Sequence, residues 1–189
     1  MPAEVIAKKL FTVDEFQRME EAGILSDDCR YELIRGEVIE VSPPGSPHAS
    51  RVKRLNRLFN TRLRESVIVS IQDPVVLDRY SEPLPDVALL RPKKDFYNEA
   101  HPQPEDVLLL VEVADSSLNW DRTVKAGLYA ETGIAEYWLL DVRGDVLIVH
   151  ADLRNGIYES ISTRRRGETV SPRHLPAFEF TVDEILGDK

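Results

Sequence analysis

The sequence predicts an α/β domain, a mixed β-sheet flanked by helices, and three observations carry that expectation. "VLLLVEVA" (107–114) is an almost unbroken apolar run, the pattern of a strand covered on both faces. "HASRVKRLNRLFNTRLR" (48–64) sets Val52, Leu55, Leu58, Phe59 and Leu63 on one side at helical spacing, as in a helix lying on a sheet. Short runs rich in Val, Ile and Tyr, broken by Gly- and Pro-bearing turns, supply further strands. At 189 residues the chain suits one full-sized domain, and no stretch has the composition of a linker, so a single domain over 1–189 is expected.

The elements follow in order. "TVDEFQRMEEAG" opens with a capping box, Thr12 and Glu15, carries Phe16 and Met19 as the start of an apolar stripe, and can stop at Gly23. "YELIRGEVIEVS" reads as two strands around a tight turn at Arg35-Gly36. In the loop "SPPGSPH", Ser46 and Pro47 suggest an N-cap and a first-turn proline for the helix over 48–64. "VIVSI", "PVVLD" and "LPDVALL" read as short strands, and "RPKKDFYNEAHPQPED" as a surface loop leading to 107–114. Ser116 and Ser117 start a second helix to Gly133, with Trp120, Val124 and Leu128 down one side. "EYWLLDV" and "VLIVH" form a hairpin over Gly144; "IYESI", a polar "TRRRGE" turn and a last helix with its own capping box (Thr181, Glu184) complete the chain.

Bulk properties narrow the function. A formal net charge of -9 argues against a general nucleic-acid coat protein but leaves room for an enzyme with a local basic patch near an acidic centre. No apolar stretch approaches the roughly 20 residues that cross a bilayer, and the start lacks the apolar core of a secretory signal. The lone Cys29 can close no intramolecular disulfide, so the cytoplasm is the expected location. P-loop, GxGxxG, GxSxG, HExxH and paired CxxC motifs are all missing from the sequence.

The chemistry concentrates in two acids. Glu112 interrupts the apolar run, and a carboxylate there needs something positive to offset its desolvation. Asp86, after Pro85, heads another strand; side by side, the two carboxylates would suit a hard divalent cation such as Mg²⁺. Asp121, Lys125 and Tyr129 follow at i, i+4 and i+8, so one helix face can lean over the end of the Glu112 strand and bring Lys125 to it. The structural alternatives are a buried ion pair of Glu112 with Lys125 or Arg122, a turn-capping Asp86, Asp121 paired with Lys125, and a packed Tyr129.

"YELIRGEVIEVSPPGSPH", "PDVALL", "VEVADSS", "DRTVKAGLYAETGIAEYWLLD" and "GIYES", in this order, resemble the Uma-two family of endonucleases over roughly residues 12–186. That family is assigned to the PD-(D/E)XK superfamily, so the resemblance implies a restriction-endonuclease-like core and phosphodiester hydrolysis. It implies that Asp86 and Glu112 hold Mg²⁺, with Mn²⁺ as a substitute and the Val113 carbonyl as a further ligand. The superfamily lysine would fall at Ala114, and the Uma-like pattern instead takes it from the following helix, here Lys125. Glu32 and His48 match other blocks and are candidates for a ligand or outer contact and for substrate binding.

A nuclease must also attract a polyanion. Arg51, Lys53, Arg54, Arg57, Arg62 and Arg64 fall in a window with no acid, and Arg51, Arg54 and Arg57 are the leading candidates for phosphate contact. DNA is the expected partner, and by analogy with restriction-type folds a homodimer. Ala114 also supports a second reading, a catalytically silent member that binds nucleic acid or protein. A third is a metal-dependent phosphoesterase for small substrates.

Overall fold

The computed structural model describes residues 7–26 and 28–187. They fall into two compact units, one from the described residues of Met1–Pro43 with Val76–Pro83, the other from those of Pro44–Val75 with Leu84–Lys189.

The smaller unit holds helix α1 (Val13–Glu21) and a hairpin of β1 (Arg30–Ile34) and β2 (Glu37–Val41). The capping box at Thr12 and Glu15 forms as its sequence predicts. The hairpin turns at Arg35 and Gly36, both at positive φ. Gly36 also meets the chain at Leu10, where an added Cβ would lie 2.7 Å from another carbon, so no larger residue fits. Val13, Phe16 and Leu33 form the core, and Leu33 exchanges backbone hydrogen bonds with Glu82. "PVVLD" makes no strand; only Asp78 forms a bridge, to Ser81. Val75 and Leu77 are buried, and Val76 partly so, in an irregular segment rather than a ladder, a difference that periodicity in so short a run does not reveal.

The larger unit is built on a mixed six-stranded sheet in the order β3-β4-β5-β6-β7-β8. The strands are β3 (Ile68–Ser70), β4 (Val87–Leu90), β5 (Val107–Ala114), β6 (Tyr137–Asp141), β7 (Val146–Arg154) and β8 (Ile157–Arg164). β5 runs parallel to β6, and every other neighbouring pair is antiparallel. All eight residues of β5 are buried because it is central and covered on both faces. Leu109, Val111 and Val113 pack with Val52, Leu55 and Phe59 of α2 (Ser46–Leu63) and with the C-terminal helix Val182–Leu186. Leu110, Glu112 and Ala114 alternate to the other face.

That other face meets a helix in three contiguous parts: α3 (Leu118–Trp120), a π turn (Asp121–Lys125) and α4 (Ala126–Glu131). β9 (Thr169–Val170), β10 (Phe180–Thr181) and α5 (Val182–Leu186) end the chain. The two-residue strands β9 and β10 form a small ladder of their own, too short for a sequence pattern. Gly45, not Ser46, caps α2, and the helix starts one residue earlier than its proline suggests.

Candidate active site

The register of two strands creates the site. Val87 pairs with Val111 in the antiparallel β4–β5 ladder, so one step outward sets Asp86 opposite Glu112. The Asp86 amide donates to Glu112 Oε2 at 3.3 Å. Both carboxyl groups are buried, Asp86 at 8% exposure and Glu112 at 3%. Two desolvated anions side by side would be costly without compensation, and each has its own donors.

Asp86 Oδ1 accepts from Gln72 Nε2 at 2.9 Å, and Oδ2 accepts from the Val113 amide at 2.9 Å. His48 Nε2 lies 2.9 Å from the same Oδ2. Burial pushes the Asp86 carboxyl up, but the hydrogen bonds from His48, Gln72 and Val113 outweigh it and hold the group below the ordinary carboxylate value. The bond to Asp86 in turn raises His48 against the opposing effect of burial. His48 Nδ1 is buried and has no hydrogen-bond partner.

Glu112 is answered from the helix. Its Oε1 accepts from Lys125 Nζ at 2.9 Å and from the Tyr129 hydroxyl at 2.6 Å. The π turn adjusts this approach: the Ala126 amide bonds the Asp121 carbonyl, five residues back, and Asp121 and Lys125 are both buried. Asp121 accepts from the Ser117 hydroxyl. The apolar stripe expected along the helix is broken at the same place, which leaves Trp120 37% exposed. Ala114, two residues beyond Glu112 on the same face, is fully buried. The positive group therefore comes from the helix above the strand.

Two buried carboxylates of adjacent strands fit a hard cation through their oxygens. Among the described residues no three His, Cys, Asp or Glu side chains gather as a metal-binding group. A cation held here would take two carboxylates and complete its shell from main-chain carbonyls and water, the manner of Mg²⁺ more than of Zn²⁺.

The family model for Uma2, described as "Putative restriction endonuclease", matches residues 13–183. The chain belongs to that family. Among solved structures it is similar to a protein of Anabaena variabilis described as "a putative nuclease belonging to DUF820", with a TM-score of 0.71 over 93% of this chain and 97% of that one. At 13% identity, that likeness shows a shared fold. No curated protein matches the sequence.

In this Uma2 chain, His48 stands in the first turn of α2, and Arg51 follows three residues on, half-buried. Arg54 and Arg57 are exposed further along the same helix, with Lys53. Arg62 is engaged elsewhere, donating to Glu184 Oε1 at 2.8 Å and to the Glu179 carbonyl at 2.9 Å. Glu32 lies on β1 of the smaller unit, opposite Ile39, and is buried. Two residues at the acid pair escape sequence reasoning as donors. Tyr129 carried a signal, since it falls one turn beyond Lys125 on a face already singled out; Gln72, in a short irregular segment, carried none. No helix is long and apolar enough to cross a membrane among the described residues.

Proposed function

We propose that this chain is a divalent-metal-dependent endonuclease that hydrolyses phosphodiester bonds in DNA. The observation that carries this reading is the opposed pair Asp86 and Glu112, buried together with Lys125 on Glu112. Asp86 and Glu112 would hold Mg²⁺, or Mn²⁺ in its place, with the Val113 carbonyl as a further ligand. When bound, such an ion lowers the pKa of water and offsets charge on the phosphoryl oxygens.

The chain's own groups do the rest. Gln72, His48 and the Val113 amide fix the Asp86 carboxylate, and Tyr129 fixes Glu112. Lys125 has an ammonium 2.9 Å from Glu112, close enough to orient a water or to stabilise charge gathering on the phosphate. His48 and, along α2, Arg51, Arg54 and Arg57 take the phosphate backbone. A second reading, a silent binding member of the fold, draws support from the direct Lys125–Glu112 ion pair and from Ala114.

Cleavage of duplex and single-stranded DNA, followed with and without Mg²⁺, separates the two. The wild type cuts only with the ion, and Asp86→Asn lowers the rate by about 10³-fold or more. Undiminished cleavage by Asp86→Asn, or none by the wild type with either ion, would remove the proposed enzyme.

Tyr129→Phe deletes one of the two donors on Glu112 Oε1 while keeping the ring. We expect kcat to fall about tenfold with KM little changed, since a positioning contact is lost and no substrate contact is. A steady-state comparison with Phe at this position checks it; a pure rise in KM counts against the assignment.

Replacing Arg51, Arg54 and Arg57 together by Ala tests the basic helix. Each phosphate contact contributes roughly 0.9 to the slope of log affinity against log salt, so the triple variant should lose about 2.7 units of that slope. The measurement is DNA binding across a salt series in Ca²⁺; an unaltered slope moves the DNA off α2.

A further inference from the structure

A cavity of about 420 Å³ lies on the other side of the six-stranded sheet. Val111, Trp138, Val149 and Ser162 are successive partners across β5 to β8, and Glu112, Leu139, Ile148 and Thr163 form the next row. Adjacent rows face opposite ways, and Val149 and Ser162 line the cavity, so it opens on the face away from Glu112. Its volume falls within the roughly 300–1,000 Å³ of small-molecule sites.

The lining combines groups that call for one kind of ligand. Val149, Ala151 and Val170 give it an apolar wall. Glu136 is only 3% exposed; its Oε1 accepts from Trp138 Nε1 at 2.7 Å and its Oε2 from the Arg173 amide at 2.6 Å. A carboxylate oxygen has two lone pairs, so each can take one more donor. Arg164 also lines the cavity, and its Nε is buried without a hydrogen-bond partner, while Nη1 reaches Glu168 only at 3.9 Å. A buried donor left unmatched is destabilising, and a ligand acceptor would satisfy it. Ser160 and Ser162 add hydroxyls on the same side of β8.

Charge narrows the class. Glu136, Asp152 and Glu179 outnumber Arg164 and Arg173 in the lining, so a phosphate or carboxylate ligand is disfavoured. A bare cation would leave the Arg164 donor unmatched. A flat ring with N–H donors beside carbonyl and ring-nitrogen acceptors meets every requirement. Guanine offers N1–H and N2–H₂ to a carboxylate and O6 with N7 to a guanidinium.

We infer that this cavity binds a guanine-type base, with Glu136 accepting from its N–H edge, Arg164 donating to its O6 and N7, and the ring on Val149, Ala151 and Val170. The site is independent of the acid pair, and its test needs no cleavage. Trp138 donates to Glu136, and Trp120 is the only other tryptophan, so the two indole N–H resonances of the ¹⁵N-labelled full chain supply a reporter and a control.

Guanosine should move the Trp138 resonance saturably and leave that of Trp120 in place. 1-Methylguanosine, which lacks the N1–H donor, should bind about tenfold more weakly. Arg164→Met should weaken guanosine by about tenfold with an unchanged unfolding midpoint, and Arg164→Leu serves should that variant fail to fold. A Trp138 resonance that stays still up to the solubility of guanosine overturns the proposal. So does equal binding of 1-methylguanosine, or wild-type affinity in whichever of the two variants folds.

Discussion

Glu112→Ala is expected to abolish cleavage and also to lower the unfolding free energy by about 3–5 kcal/mol, because it removes the carboxylate of a buried ion pair. The Lys125 side chain is 8% exposed and that of Glu112 is 4%, so solvent cannot replace the lost partner. The Tyr129 hydroxyl, 2.6 Å from the same carboxylate oxygen, loses this hydrogen bond as well. Adding Lys125→Met to Glu112→Ala removes the other charge of the pair. The double variant should therefore recover on the order of 2 kcal/mol relative to the sum of the single losses and remain inactive. Urea unfolding of the four proteins, with cleavage measured in parallel, checks both statements. Additive losses would mean that the ion pair contributes little. Activity regained by the double variant would mean that the acid is dispensable.

The second large effect lies in the smaller unit and concerns pH. Burial pushes the Glu82 carboxyl up to about 7, against the Gln17 amide that donates to it at 2.7 Å. A folded-state value above the unfolded 4.5 means that the folded protein favours the protonated acid. The resulting stability is fully present below about pH 4.5 and is lost as pH rises through about 7. A difference of this size corresponds to about 3 kcal/mol at most, and on the order of 2 kcal/mol after allowing for relaxation around the charge. Glu82→Gln keeps the shape and an acceptor for Gln17 but cannot ionise. Relative to wild type it should be more stable at pH 8 by that amount and nearly equal at pH 4.5. Denaturant midpoints across the range measure it, and a difference that does not vary with pH would refute the buried-acid account.

Much of this molecule was legible before any coordinates. The run 107–114 announced a central strand because burial on both faces leaves no polar alternation to disguise it. The capping boxes at Thr12 and Thr181 were legible because their bonds close within three residues. The oddity of Glu112 in its strand pointed to a compensating cation, and Lys125 at helical distance from Asp121 and Tyr129 was the nearest candidate. "PVVLD" misled because three apolar residues after a proline suit an irregular segment as well as a strand. The π turn at 121–125 also left no mark, and it shifted Trp120 from the apolar stripe to the surface. Gln72 was invisible as an Asp86 donor because nothing local to it requires that contact.

The sequence alone determined the layers, the family and the oddity of an acid in an apolar strand, since these rest on periodicity and on contacts within a few residues. Only the tertiary structure decided that Val87 pairs with Val111, and with that register the meeting of Asp86 and Glu112. It also decided that both donors to Glu112 Oε1 come from a helix with a π turn. Strand register and helix approach depend on how distant surfaces pack, and a shift of one residue would turn either carboxylate to the opposite face of the sheet.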